Sequence, residues 1–194
     1  PFTGQQQIVE CIGVYELFDS LYYAQEIIEL DLSNTGLTGN ISSNIGNFTN
    51  LVSIDLSQNE LTGPIPSEIG NLSNLNMLHL NENYLSGELP SEIYNLTYLS
   101  GGYSSGHGPL NWTSGLDVSG NLLTGQISSE IVNLENIVIM DFSENLFTGS
   151  IPAEIGSLNY LWGLALDSNQ FSGTIPIELW GKLNYNVIIS IYVR

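Results

Sequence analysis

The feature that most constrains this chain is a block of twenty-four residues that returns six times. LVSIDLSQNELTGPIPSEIGNLSN runs from Leu51 to Asn74. IIELDLSNTGLTGNISSNIGNFTN precedes it from Ile27, and LNMLHLNENYLSGELPSEIYNLTY follows from Leu75. The block resumes as TSGLDVSGNLLTGQISSEIVNLEN from Thr113, IVIMDFSENLFTGSIPAEIGSLNY from Ile137 and LWGLALDSNQFSGTIPIELWGKLN from Leu161. A fixed period of this length is the signature of a solenoid: one unit cannot bury its apolar edge alone, and stacked units share a continuous core. Leu51 to Leu56 alternates as a short strand with one side turned inward. Asn59, Asn83, Asn121, Asn145 and Asn169 share one column just after the strand, where a buried amide can satisfy turn backbone and bond its neighbours as a ladder. Gly63, Gly87, Gly125, Gly149 and Gly173 permit the bend that follows, and Pro66, Pro90, Pro152 and Pro176 keep the next segment out of regular helix.

These residues resemble the plant-type leucine-rich repeat, LxxLxLxxNxLTGxIPxEIGNL, over Ile27 to about Asn184. The resemblance implies an α/β-type repeat solenoid, right-handed and curved, with a parallel sheet on the concave face and irregular or 3-10 segments on the convex one. It also implies binding rather than catalysis, no cofactor, and a place outside the cell or on its surface. Cys11 is the only cysteine, so the paired-cysteine cap usual in plant ectodomains of this family cannot form, which favours a bacterial, algal or protist relative.

Twenty acidic side chains face only Lys182 and Arg194, for a net charge of −18. Nucleic-acid binding needs clustered Lys and Arg and is excluded as a class, and an anionic membrane surface is a poor partner. No apolar run is long enough to span a bilayer. No signal peptide is visible, so a mature or excised segment is expected. Asn-x-Ser/Thr sequons at Asn40, Asn47, Asn71, Asn95 and Asn111 are glycosylation candidates, three of them in one repeat column.

Residues 1–26 fall outside the period. Ile8, Cys11, Ile12, Tyr15 and Phe18 recur at helical spacing, which predicts a cap helix over the first coil. Residues 99–112, LSGGYSSGHGPLNW, are extra to the period, and their Gly, Ser and Pro content reads as a loop near one rim of the concave sheet. Insertions in repeat arrays often bind, and Tyr103, His107 and Trp112 offer amphipathic contact groups. The tail from residue 185 to 194 reads as a closing strand with apolar residues on both faces. Such an edge invites pairing with another chain, or covering by further sequence.

The concave strand positions give one column of Asp31, Asp55, His79, Asp117, Asp141 and Ala165, with Glu60, Tyr84, Leu122, Leu146 and Gln170 expected in a flanking column. Neighbouring carboxylates on adjacent strands suit a glycosidase pair, but a flat open sheet has no pocket to raise one pKa. Asp55, His79 and Glu82 do not supply the six to eight oxygens a hard cation wants, so no metal site is expected. The expected function is non-enzymatic recognition of a protein, peptide or glycan. The expected binding residues are Asp55, His79, Tyr84, Asp117, Asp141 and Trp162 on the concave face, with Tyr103, His107 and Trp112 on the rim loop. The alternative is a structural subunit that self-associates through its ends.

Overall fold

The computed structural model describes residues 27–103, 112–179 and 188–190. The expected cap helix with Cys11, the loop residue His107 and the sequon Asn111 lie outside these. The chain winds in coils. The first supplies strands β1 (Glu29–Asp31) and β2 (Thr38–Asn40), the second β3 (Ser53–Asp55) and β4 (Glu60–Gly63), and the third β5 (Met77–His79) and β6 (Tyr84–Glu88). A two-stranded excursion follows, β7 (Gly101–Tyr103) and β8 (Trp112–Ser114). The fourth coil gives β9 (Leu116–Asp117) and β10 (Leu122–Thr124), the fifth β11 (Ile139–Asp141), the sixth β12 (Gly163–Ala165), and Ile188–Ser190 forms β13.

The first strand of every coil joins one parallel sheet in the order β1-β3-β5-β9-β11-β12-β13. Its register is strict: Leu30, Ile54, Leu78, Leu116, Met140 and Leu164 are partners in succession. From Ile54 onward these side chains are buried, so a one-residue slip would turn the whole row into water. Behind it lie Leu61, Leu85, Leu123, Phe147 and Phe171, each the inward residue of the segment after the Asn. Phe142 meets Phe147 edge-on at 5.9 Å, and Phe147 stacks on Phe171 at 6.3 Å. The first five coils return through five-residue 3-10 turns, as at Ser67–Asn71 and Ser91–Asn95, whereas in the sixth residues 177–179 are α-helical, so Pro176 starts a helix instead of excluding one as expected. Pro66, Pro90 and Pro152 stand at the N-caps of their turns, extended at φ −69°, −64° and −67°. Proline suits such a start because an N-H there would have no partner within the turn.

The Asn column forms the ladder its spacing predicts. Asn145 Nδ2 donates to Val118 O at 2.9 Å in the coil before, and to Phe142 O and Ser143 O at 3.3 and 3.0 Å in its own coil. Its Oδ1 accepts from Leu123 N at 3.0 Å. Asn59, Asn83, Asn121 and Asn169 repeat the pattern, all buried. The residue before the ladder position is left-handed in every coil: Asn34 (before Thr35), Gln58, Glu82, Glu144 and Ser168 have φ of 51–56°, and Gly120 has φ 62°.

Two features depart from the sequence expectation. The segment after the Asn is a second parallel sheet, β10-β6-β4-β2, rather than an irregular bend. Its register steps by two residues per coil, so Thr38 faces Glu60, Thr62 faces Tyr84 and Ser86 faces Leu122. The extra segment also enters later than residues 99–112. Leu99 is fully buried, and Ser100 N bonds Asn76 O, as the opening residues of a coil should. The excursion therefore spans residues 101–114 and leaves the sheet as an antiparallel hairpin, Tyr103 opposite Trp112. Gly115 closes the neck. A Cβ there would lie 2.6 Å from Ser100 C and 2.8 Å from Gly101 N, so only glycine lets both ends of the hairpin enter one coil.

Candidate binding face

The concave sheet carries one continuous row in register: Asp31, Asp55, His79, Asp117, Asp141, Ala165 and Ser190. Adjacent parallel strands set neighbours about 4.8 Å apart. Four of the carboxylates are already partly committed. Ser33, Ser57, Ser119 and Ser143 each donate backbone N-H and hydroxyl to Oδ1 of the Asp two residues earlier, at 2.5–3.1 Å. The D-x-S pattern thus ties down each strand end and turns Oδ2 away from that turn.

His79 is the exception in the row. Its Nε2 donates to Ser114 O at 2.7 Å, at the foot of the hairpin, and its Nδ1 lies 3.6 Å from Asp55 Oδ2. A backbone carbonyl and a carboxylate both only accept, so the ring is fully satisfied as an imidazolium. Burial opposes that charge, but the bonds to Asp55 and Ser114 and the fields of Asp55 and Asp117 outweigh it and raise the His79 pKa. Burial likewise opposes ionisation of Asp55, yet the bonds from His79 and from the Ser57 hydroxyl and amide bring its carboxyl down to about 2. Asp117 moves the other way: burial raises its pKa, and Asp141 beside it adds to the rise, over the opposing bonds from Ser119.

The structure groups Asp55, His79, Asp117 and Asp141 in one row and places two other expected residues elsewhere. Tyr84 is the first residue of β6, outward-facing in the second sheet and 56% exposed. The Asn turn with its left-handed residue intervenes, so the column from Glu60 to Gln170 is not concave. Trp162 is half-buried at the rim, immediately before β12, and its N-H bonds Val138 O. Tyr103 and Trp112 are paired in the backbone of the hairpin. Asn40, Asn47, Asn71 and Asn95 are exposed, and Asn40 Oδ1 accepts from Thr62 Oγ1 at 3.1 Å. The sequence reading missed Ser114, which receives the His79 bond. Its signal was hidden, since a carbonyl is the same in every residue and the period assigned Ser114 to the start of the fourth repeat, not to the excursion. Among the described residues no group of three or more His, Cys, Asp or Glu side chains could hold a metal ion.

A family profile described as Leucine Rich Repeat matches residues 26–48, 50–72, 74–96 and 136–158. No curated protein sequence matches the chain. Among solved structures, the plant peptide hormone receptor RGFR1, in complex with RGF2, is 32% identical over 89% of this chain and 25% of its own, with a TM-score of 0.72. The leucine-rich-repeat ectodomain of the Arabidopsis receptor kinase HAESA, with an N-terminally extended IDA peptide hormone ligand, is 32% identical over 88% of this chain and 26% of its own, TM-score 0.72. The chain thus spans about a quarter of either receptor chain. The ectodomain of the receptor kinase SOBIR1 from Arabidopsis thaliana is 31% identical over 72% of this chain and 69% of its own, TM-score 0.62. Coil register, Asn ladder and this likeness over most of a receptor ectodomain converge: the chain belongs to the leucine-rich-repeat family.

Proposed function

We infer that this chain is an extracellular, non-enzymatic recognition module that takes a peptide or protein segment along its concave sheet, beside the hairpin β7-β8. The observation that carries this reading is the row Asp55, His79, Asp117 and Asp141, brought into register over four strands and joined to the hairpin through His79 and Ser114. The peptide-binding receptors RGFR1 and HAESA share the fold, which supports a peptide over a glycan as the ligand class. An open sheet recognises an extended chain well, because successive strands offer side chains at even spacing.

The test is selection of peptides from a displayed random library on the full chain, followed by titration against Asp55→Asn, His79→Gln and Asp141→Asn variants. Selected peptides should lose about tenfold or more in affinity on the combined variant, since a few central residues carry most of an interface. Peptides that bind the variant as tightly as the parent would remove the concave face from the reading. β13 is the last strand of the sheet among the described residues, the end that the self-assembling alternative would pair. A sedimentation mass that stays monomeric as concentration rises counts against it.

A further inference from the structure

Tyr84 belongs to a second surface, separate from the concave row. In the segment after each ladder Asn one residue points in and its neighbours point out, so Leu61, Leu85 and Leu123 are buried while the residues flanking them face water. The outward row reads Glu60, Tyr84, Leu122, Leu146 and Gln170. Its middle is apolar: Tyr84, Leu122 and Leu146 are 56%, 47% and 39% exposed. The two-residue step sets Tyr84 beside Thr62 and Leu122 beside Ser86, so the apolar side chains are diagonal neighbours roughly 7–8 Å apart. The cross-strand partners of Tyr84 and Leu122 are short hydroxyl residues, which leaves these two side chains standing proud of the sheet, and Leu146 continues the row in the next coil, where its backbone N-H bonds Leu123 O. Exposed Glu60, Glu82, Glu88 and Glu144 border the stripe, and no Lys or Arg occurs in the chain before Lys182.

We propose that this stripe is a docking surface for an extended segment of a different protein, in which apolar side chains alternate with Lys or Arg. The apolar residues would cover Tyr84, Leu122 and Leu146, while the cations meet the glutamates at the margin, their methylene stems adding to the covered area. Charge selects the occupant. A second copy brings −18 against −18 and places glutamate on glutamate, whereas a basic segment gains attraction and faster encounter. The site is independent of the concave row, because the Asn turns and their left-handed residues stand between the two sheets.

The experiment titrates the full chain with a synthetic peptide of alternating leucine and lysine, with leucine–glutamate and serine–lysine peptides as controls. The variant combines Tyr84→Ser, Leu122→Thr and Leu146→Thr, all outward-facing, with circular dichroism to verify the fold. The parent should prefer leucine–lysine over both controls, and the variant should lose at least about tenfold of that affinity. His79→Gln should leave it unchanged. Equal binding by parent and variant, or equal binding of serine–lysine, would reduce the effect to diffuse attraction and overturn the proposal. A parent that dimerises where the variant does not would give the stripe to a second copy and overturn the assigned partner.

Discussion

The ladder amide of Asn145 is the most informative single position. It is 4% exposed and makes four hydrogen bonds, three as donor through Nδ2 and one as acceptor through Oδ1. Replacing it by alanine leaves the Leu123 N-H buried without its acceptor, at about 1–3 kcal/mol, and strips Val118 O, Phe142 O and Ser143 O of a donor each. Backbone carbonyls tolerate this better than an amide does, so a total of about 3 kcal/mol is expected. For a chain of this length that lowers Tm by roughly 6–12 °C. Asparagine to aspartate discriminates further. Aspartate keeps the acceptor for Leu123 N but sets a carboxylate against three carbonyls, so Asn145→Asp should be less stable than Asn145→Ala at neutral pH. Its folded-state pKa would be raised, so stability returns as pH falls and is lost as pH rises through that value.

Urea unfolding followed by circular dichroism measures both variants, with exposed Asn159→Ala as a control expected within about 0.5 kcal/mol of the parent. A loss below about 1 kcal/mol for Asn145→Ala would mean that water or a shifted backbone replaces the amide. An aspartate variant as stable as alanine at neutral pH would mean that the three carbonyls do not converge on Nδ2, and the reasoning would fail.

Two more expectations concern the hairpin neck. The folded-state pKa of His79 lies above its ordinary 6.5, so its contribution is complete below that value and fades as pH rises through the raised one; the Asp55 side is lost only as pH falls toward about 2. The stability gap between parent and His79→Gln should therefore be larger at pH 6 than at about pH 8, and a gap flat across that range would refute the imidazolium assignment. Gly115→Ala forces a methyl to 2.6 Å from Ile137 Cδ1 and from backbone at Ser100, so it should destabilise by about 1–3 kcal/mol in thermal unfolding. A neutral result would show that the neck can part.

Much of the array was legible because its determinants are local and repeated. The inward positions Ile54, Leu78 and Met140, the Asn column and the proline N-caps each follow from residue type at fixed spacing. The second sheet was not. Only one inward side chain, such as Leu85, marks each of its strands, and a single inward residue with no alternation on either side reads equally well as a bend. The hydrogen bonds that make it a strand come from the next coil, as Glu60 N to Leu37 O does, so no window within one coil contains them. Tyr84 was misplaced for the same reason. A continuation of the concave strand and the start of a new sheet share the same sequence, and the left-handed turn at Glu82 decides between them.

Several departures from the repeat meet at the boundary between the third and fourth coils. In regular coils a glycine stands on the 3-10 turn, and a Cβ at Gly70 would lie 2.5 Å from Glu92 O in the next coil, so glycine fixes how closely the turns approach. The third coil has Tyr94 there and the fourth has Val132. Tyr94 is 2% exposed, and its phenol oxygen accepts from Ser128 N at 3.2 Å. A phenol ring needs more room than a glycine hydrogen, and Tyr94 faces the coil boundary where the excursion from Gly101 to Ser114 enters on the concave side. Tyr94 fills the convex gap, Gly115 closes the neck, and His79 holds Ser114 to the concave row. The foot of the hairpin at Ser114 is thus tied to the concave row through His79, while Tyr94 joins the third and fourth coils on the convex side, so the boundary that admits the excursion is bridged on both faces of the stack.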